Sequence, residues 1–178
     1  PGAGKTTRVP LALAGYLDGF APLDGRLIML EPRRIAARMA AQRMAQTLGE
    51  KVGLRVCLAS RVERRSSDKT QIEVVTDGVF TRRLLADPEL TGVQAVIFDE
   101  IHARSLTADL GLALALEAQR ALREDLLLLA MSATLDTDLM AKTLDAPVMA
   151  SAGRQYPIET RYLGRGNGRH EDQMVRAI

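Results

Sequence analysis

Short apolar, β-branched runs alternate along this chain with longer stretches of helical period. Leu27–Leu30 reads as a strand. Ile35, Ala36, Met39, Ala40, Met44 and Leu48 then recur at the spacing of one helix face, with Arg38, Gln42 and Arg43 on other faces. Val52–Leu58 is a second strand candidate, and the charged stretch Ser60–Lys69 reads as a loop. Ile72–Val75 predicts a strand leading into a short helix from about Gly78 to Ala86, stopped by Asp87-Pro88. Ala95–Phe98 is a further strand, with Leu106, Leu110, Ala113 and Leu114 marking the helix after it. Leu126–Met131 is an apolar strand, followed by Ser132-Ala133-Thr134 and a helix from Asp136 to about Leu144.

Strands that are apolar throughout and separated by helices imply an α/β fold, a mostly parallel sheet flanked by helices on both faces. Ligands in such sheets sit at the carboxyl ends of the strands. Each polar cluster below, apart from the opening loop, follows an inferred strand. After Pro147–Ala150 the pattern changes: Ser151–Gln155 is linker-like, Ile158–Leu163 alternates like a new strand, and Gly164–Gly168 is a flexible loop. The expected division is a first domain over 1–151, and a linker with the beginning of a second domain over 152–178.

The opening Pro1–Thr7 contains the last six positions of G-x-x-x-x-G-K-[ST]. Gly2 and Gly4, with Ala3 between them and Thr7 beyond, would let backbone N–H groups cradle phosphates at a helix N-terminus. Lys5 would reach the β- and γ-phosphates of ATP, and the Thr6 hydroxyl would ligate Mg2+. The bland alternative is a Gly-rich turn before Lys-Thr-Thr. Asp99 and Glu100 end an apolar strand, where one carboxylate can hold the metal and the other orient or deprotonate a water. An Asp-Glu pair also commonly starts a solvated loop. His102 alone is as compatible with a structural hydrogen bond as with catalysis, and Ser132-Ala133-Thr134 draws its value from its place after the next strand. Arg33 and Arg34 open a helix, against the dipole's preference for acids, and could meet nucleic-acid phosphates or simply be solvated. Asp77 in Thr76-Asp77-Gly78 could be only a helix cap.

Composition narrows the field slightly. With 178 residues, 47% of them hydrophobic, the chain can bury one sizeable core. A net charge of +2 makes a weak global field. Arg far outnumbers Lys, which suits phosphate contacts but also follows from an Ala/Leu/Arg-rich bias. The single Cys57 leaves no internal disulfide and fits a reducing, cytoplasmic setting. The longest apolar candidate, Leu106–Leu116, is interrupted by Asp109, so no membrane span is expected. Pro1 and the late entry into the phosphate loop lead us to expect an N-terminally truncated chain.

Taken in order, Pro1–Thr7, Pro32–Arg38 (PRRIAAR), Thr76–Phe80 (TDGVF), Asp99–His102 (DEIH) and Ser132–Thr134 (SAT) resemble motifs I, Ia, Ib, II and III of the DEAH-box RNA helicases. Flanking text such as AVIFDEIHARSLTADLGLAL and MSATLD is most similar to the bacterial HrpB branch of that family. The resemblance implies a first RecA-like P-loop NTPase domain, fuelled by ATP or another NTP with Mg2+, driving 3′-to-5′ movement on single-stranded RNA together with a second RecA-like domain. By position it gives Gly2, Ala3, Gly4, Lys5, Thr6 and Thr7 to the nucleotide, and Thr6 and Asp99 to the metal. It makes Asp99, Glu100 and His102 catalytic, and Ser132 and Thr134 coupling residues. Arg33, Arg34, Thr76, Asp77 and Gly78 fall at the RNA, and Arg43 at the nucleotide base. Two alternatives remain: a nucleotide-gated RNA-binding module without productive unwinding, and a related DNA translocase. Ile101 stands in the family's alanine slot and is expected to face the sheet. Ala103 stands where Glu usually follows the motif II histidine. Leu54 and Cys57 replace a Tyr and an Arg common in the family, which puts ion pairing near the 52–58 strand in doubt.

Overall fold

In the computed structural model, which describes residues 4–60, 64–103, 105–133, 137–150 and 160, the apolar runs are the strands of one sheet. The strands are β1 (Arg26–Leu30), β2 (Val56–Ala59), β3 (Arg64–Arg65), β4 (Ile72–Val75), β5 (Val93–Phe98) and β6 (Leu127–Ala130). Their order across the sheet is β3-β2-β4-β1-β5-β6, and all pairings are parallel except that of β3 with β2. Alternation along the central strands feeds two cores. Ile28, Leu30, Val96 and Phe98 face α3 (Asp77–Ala86) and α4 (Leu106–Ala121), while Leu27, Met29, Ala95 and Ile97 face α1 (Lys5–Leu13) and α2 (Arg34–Thr47). A fifth helix, α5 (Thr137–Leu144), adds Met140 and Leu144 to the first core. Phe80 and Phe98 meet there edge to face at 5.8 Å. A Cβ at Gly111 would come within 3.3 Å of the Phe80 ring, so glycine lets α3 and α4 approach.

Several expected elements shift. The strand expected over Val52–Leu58 begins only at Val56, because Gly53 (φ +113°) turns the chain before it. The expected loop over Ser60–Lys69 contains β3, whose pairing to Leu58 and Ala59 no apolar pattern announces; residues 61–63 lie outside the described ones. Ile35 and Met39, expected on the buried face of α2, are 77% and 63% exposed. The buried stripe is Ala37, Ala40, Ala41, Met44 and Ala45. On α4, Leu106 and Leu110 are likewise exposed, and Gly111, Leu112, Ala115, Leu116 and Ala118 are buried. In α2 the true face lies about one residue, or about 100°, onward from the one expected, and in α4 it lies nearly on the opposite side of the helix. Small residues let each helix lie close to the sheet, so the largest apolar side chains do not mark the contact. Ile101 is buried in the first core as expected. The second domain expected over 152–178 lies outside the described residues apart from Thr160.

The doubt over ion pairing near β2 resolves specifically. Glu73 of β4 lies in register beside Cys57 and is buried, and its carboxylate is held by Arg83 of α3 at 2.5 Å. The cation comes from the covering helix rather than from the neighbouring strand. Removing one member of a buried pair strands the other. Arg83→Ala is therefore expected to cost about 2–4 kcal/mol in denaturant unfolding. The double change Glu73→Leu/Arg83→Met should recover most of that loss; equal losses in the single and double variants would show that the pair carries no specific role.

Candidate functional site

The five parallel strands end together, and their carboxyl edge carries the polar clusters. Three backbone bonds define it: Glu31 N–H to Val75 O (2.9 Å), Asp99 N–H to Leu30 O (3.0 Å), and Met131 N–H to Phe98 O (2.8 Å). Across this edge stand Thr76, Glu31, Asp99 and Met131, one residue beyond each strand or its last rung.

The phosphate-loop end enters from α1. Gly4 caps the helix in a left-handed conformation (φ +77°), its carbonyl accepting from Thr7 and Arg8 N–H. The left-handed backbone is what favours glycine there, since the nearest neighbour of an added Cβ, Arg8 Cδ at 3.0 Å, belongs to an exposed, flexible side chain. The first turn of α1 holds no acid, which leaves the helix N-terminus suited to an anion. Gly2 and Ala3 lie outside the described residues. The Lys5 ammonium donates to the Ser132 carbonyl at 2.7 Å, joining the loop to the segment after β6.

Asp99 is buried. Its Oδ1 accepts the Glu100 N–H at 2.9 Å, while Oδ2 is buried with no hydrogen-bond partner among the described residues. Burial raises its pKa, an effect opposed by the Thr6 hydroxyl beside it. An unpaired buried carboxylate oxygen next to a phosphate-loop threonine is what a divalent cation would satisfy. No group of three or more acids, histidines or cysteines among the described residues could hold a metal by itself. That agrees with Mg2+, which takes one or two carboxylates and completes its shell with phosphates and water.

Glu100 has φ +52°, a strained conformation for a residue with a Cβ. The turn is held on both sides, by Asp99 Oδ1 and by a short 3₁₀ helix, Ile101–Ala103, whose Ala103 N–H returns to the Glu100 carbonyl at 2.8 Å. The turn leaves the Glu100 side chain half-exposed, with Oε2 3.2 Å from His102 Nε2. The other ring nitrogen, Nδ1, lies 2.9 Å from Ser132 Oγ. The structure thus brings Lys5, Thr6, Asp99, Glu100, His102 and Ser132 together. Thr134 lies outside the described residues.

Arg33 and Arg34 are exposed at the start of α2, which has no acid in its first turn. Thr76, and not Asp77, occupies the cap position of α3. The Asp77 carboxylate instead accepts the Ser105 hydroxyl at 3.2 Å, and Ser105 in turn caps α4 by accepting Ala108 N–H at 3.0 Å. Gly78 follows within the first turn of α3. Arg33, Asp77, Asp99, Glu100 and Ser105 line a common cavity of about 200 Å³. Arg43 stands apart on the exposed side of α2, about 14 Å along its axis from the first residue.

Two residues were missed by sequence reasoning. Ser105 carried an ordinary helix-cap signal before Leu106. Glu31 directly follows an apolar strand, yet it is 3% exposed. Its pKa is pushed up to about 7 by burial first and then by the Asp99 charge, against a hydrogen bond from the Arg33 backbone N–H.

With that arrangement in view, residues 1–141 match the DEAD/DEAH box helicase family. The chain belongs to it. It is 52% identical to the ATP-dependent RNA helicase HrpB of Escherichia coli (strain K12) over 163 residues, 91% of this chain and 20% of that protein. It is 35% identical to the DExH-box ATP-dependent RNA helicase DExH1 of Arabidopsis thaliana, over 91% of this chain and 16% of that protein. Its fold superposes on the crystal structure of the Escherichia coli DEAH/RHA helicase HrpB with a TM-score of 0.83 and 49% identity, covering 99% of this chain and 22% of that one. The chain therefore spans about a fifth of the length of these relatives. The sheet and its helices are the RecA-like helicase architecture that the motifs implied.

The Glu31 shift has a thermodynamic consequence. Between the carboxyl's ordinary value of 4.5 and about 7 the folded protein binds more proton than the unfolded chain, so folding loses stability as pH rises through that window. Glu31→Gln is expected to melt above the wild type at pH 8, with the advantage shrinking towards pH 5. A constant difference in Tm across that range would refute this assignment.

Proposed function

We propose that this chain is the first motor domain of an ATP-dependent RNA helicase, and that the strand-end cluster is its NTP-hydrolysing site. The observation that carries the reading is the junction of Lys5, Asp99, Glu100, His102 and Ser132 at one sheet edge, beside an unpaired buried oxygen of Asp99. Bound MgATP supplies the scissile phosphoanhydride and a cation that neutralises its charge. Thr6 and Asp99 would hold that cation. Lys5 has three donors and can serve a phosphate while its other hydrogens remain available to Ser132. Glu100 orients the attacking water and accepts its proton, from a half-exposed side chain whose backbone turn is held by Asp99 Oδ1. His102 spans Glu100 and Ser132, which makes Ser132 a coupling residue reached from both the phosphate loop and the catalytic carboxylate. Arg43, well removed from this cluster along α2, suits a base-facing role at the far end of the nucleotide.

The RNA strand would lie over the exposed Arg33 and Arg34 and the Thr76 turn, at the same sheet edge. The Asp77 carboxylate is engaged by Ser105, so its part is to hold that turn against α4. Similarity to RNA helicases supports RNA over DNA as the substrate, and 3′-to-5′ movement is our extension of the family resemblance.

In the full-length protein, Glu100→Gln is expected to lower NTP turnover by about 10²–10⁴-fold while leaving nucleotide binding intact. Loss of binding together with turnover would contradict the assignment of Glu100 to the water. If about three phosphates are contacted, the log–log salt slope of RNA binding should be about −2, and about −0.7 for a variant lacking the Arg33 and Arg34 side chains; an unchanged slope in that variant would remove these arginines from the RNA path. ATPase stimulation by single-stranded DNA equal to that by RNA would favour a translocase on DNA.

A further inference from the structure

Glu31 is a buried acid that the hydrolytic scheme does not use. β1 and β5 pair with Leu30 opposite Phe98, and Asp99 N–H closes on Leu30 O, so Glu31 and Asp99 are neighbours on adjacent strands. Leu30 and Phe98 both enter the α3/α4 core. Strand alternation therefore directs Glu31 and Asp99 to the opposite side, where α1 carries Lys5 and Thr6. Both acids are at least 96% buried, and one oxygen of Asp99 has no partner among the described residues. Two carboxylates placed side by side away from water repel each other, and the Lys5 charge near Asp99 and the Arg33 charge near Glu31 offset this only in part.

We propose that Glu31 is a positioning residue for magnesium: its charge, set beside that of Asp99 and steadied by the Arg33 backbone N–H, strengthens divalent-cation binding at the phosphate loop without ligating the ion. This rests on the reading of the strand-end cluster as an MgATP site. The sequence pattern hid it, because Glu31 precedes the Pro32-Arg33-Arg34 stretch that attracts attention as an RNA contact. The same acid thus lies between the metal carboxylate on one side and the backbone of a proposed RNA-contacting arginine on the other.

The test measures binding, not turnover. Affinity of the full-length protein for a fluorescent, non-hydrolysable ATP analogue is followed across a Mg2+ titration at about pH 8, for the wild type, Glu31→Gln and Glu31→Asp. The Mg2+ needed for half-maximal gain in affinity should rise about three- to tenfold in Glu31→Gln. Affinity in excess EDTA should stay equal or improve, and Glu31→Asp, which keeps the charge, should remain closer to the wild type. A Glu31→Gln curve that overlays the wild type while both bind nucleotide overturns the proposal. A Glu31→Asp loss larger than that of Glu31→Gln also overturns it, since it would reduce Glu31 to an acceptor for the Arg33 N–H. Failure of the wild type to bind the analogue in a Mg2+-dependent way would instead bring down the nucleotide-site reading, and this proposal with it.

Discussion

The hydrogen bond from Asp99 N–H to Leu30 O is the last rung between β1 and β5, and the chemistry of this molecule depends on where it falls. Side chains alternate along a strand, so a slip of one residue would turn Asp99 into the α3/α4 core and bring Phe98 to the phosphate loop. The register is secured below that rung by Leu27, Ile28, Met29 and Leu30 against Ala95, Val96, Ile97 and Phe98, all buried. Because both faces of these strands are apolar, what a slip would disturb is the fit of large and small side chains in the two cores and the placing of the acids at the edge. The positions of Glu31, Asp99 and the turn at Glu100 follow from packing that takes place well below them.

From that constraint it follows why strand ends were readable in the sequence and helix faces were not. A strand buried on both faces is an unbroken apolar run, and Leu27–Leu30, Ile72–Val75 and Ala95–Phe98 show their limits almost to the residue. The buried faces of α2 and α4 mix alanine with Met44, Leu112 and Leu116, so Ile35, Met39 and Leu106 suggested faces that prove exposed. β3 escaped notice because an antiparallel pair two residues long leaves no periodicity. At the site, Asp99, Glu100, His102 and Ser132 could be listed from their places after strands, and Lys5 from its glycine-rich loop. Their mutual bonds could not: no spacing states that Lys5 reaches the Ser132 carbonyl, or that Asp77 answers Ser105 rather than capping its own helix.

Electrostatic cost is spread unevenly over the fold. Glu73 is buried deep on the α3 side and neutralised by Arg83, and so contributes to cohesion between sheet and helix. Glu31 and Asp99 are buried on the other side with no direct ion pair among the described residues, Arg33 and Lys5 acting on them only as minor influences, and both have raised pKa values. Glu100 adds a strained backbone at the same edge. Burial without compensation and strain concentrated at one strand end are the marks of a place shaped by function rather than by stability.

Ser132 meets two parts of the site through different atoms, its carbonyl receiving Lys5 and its hydroxyl meeting His102. A rigid shift of this one residue would disturb both contacts at once, so they are not independent variables. If Lys5 serves a nucleotide as proposed, whatever displaces the segment after β6 alters nucleotide affinity by the same factor by which nucleotide alters that displacement. Two contacts made by different atoms are in this way tied together in a single serine.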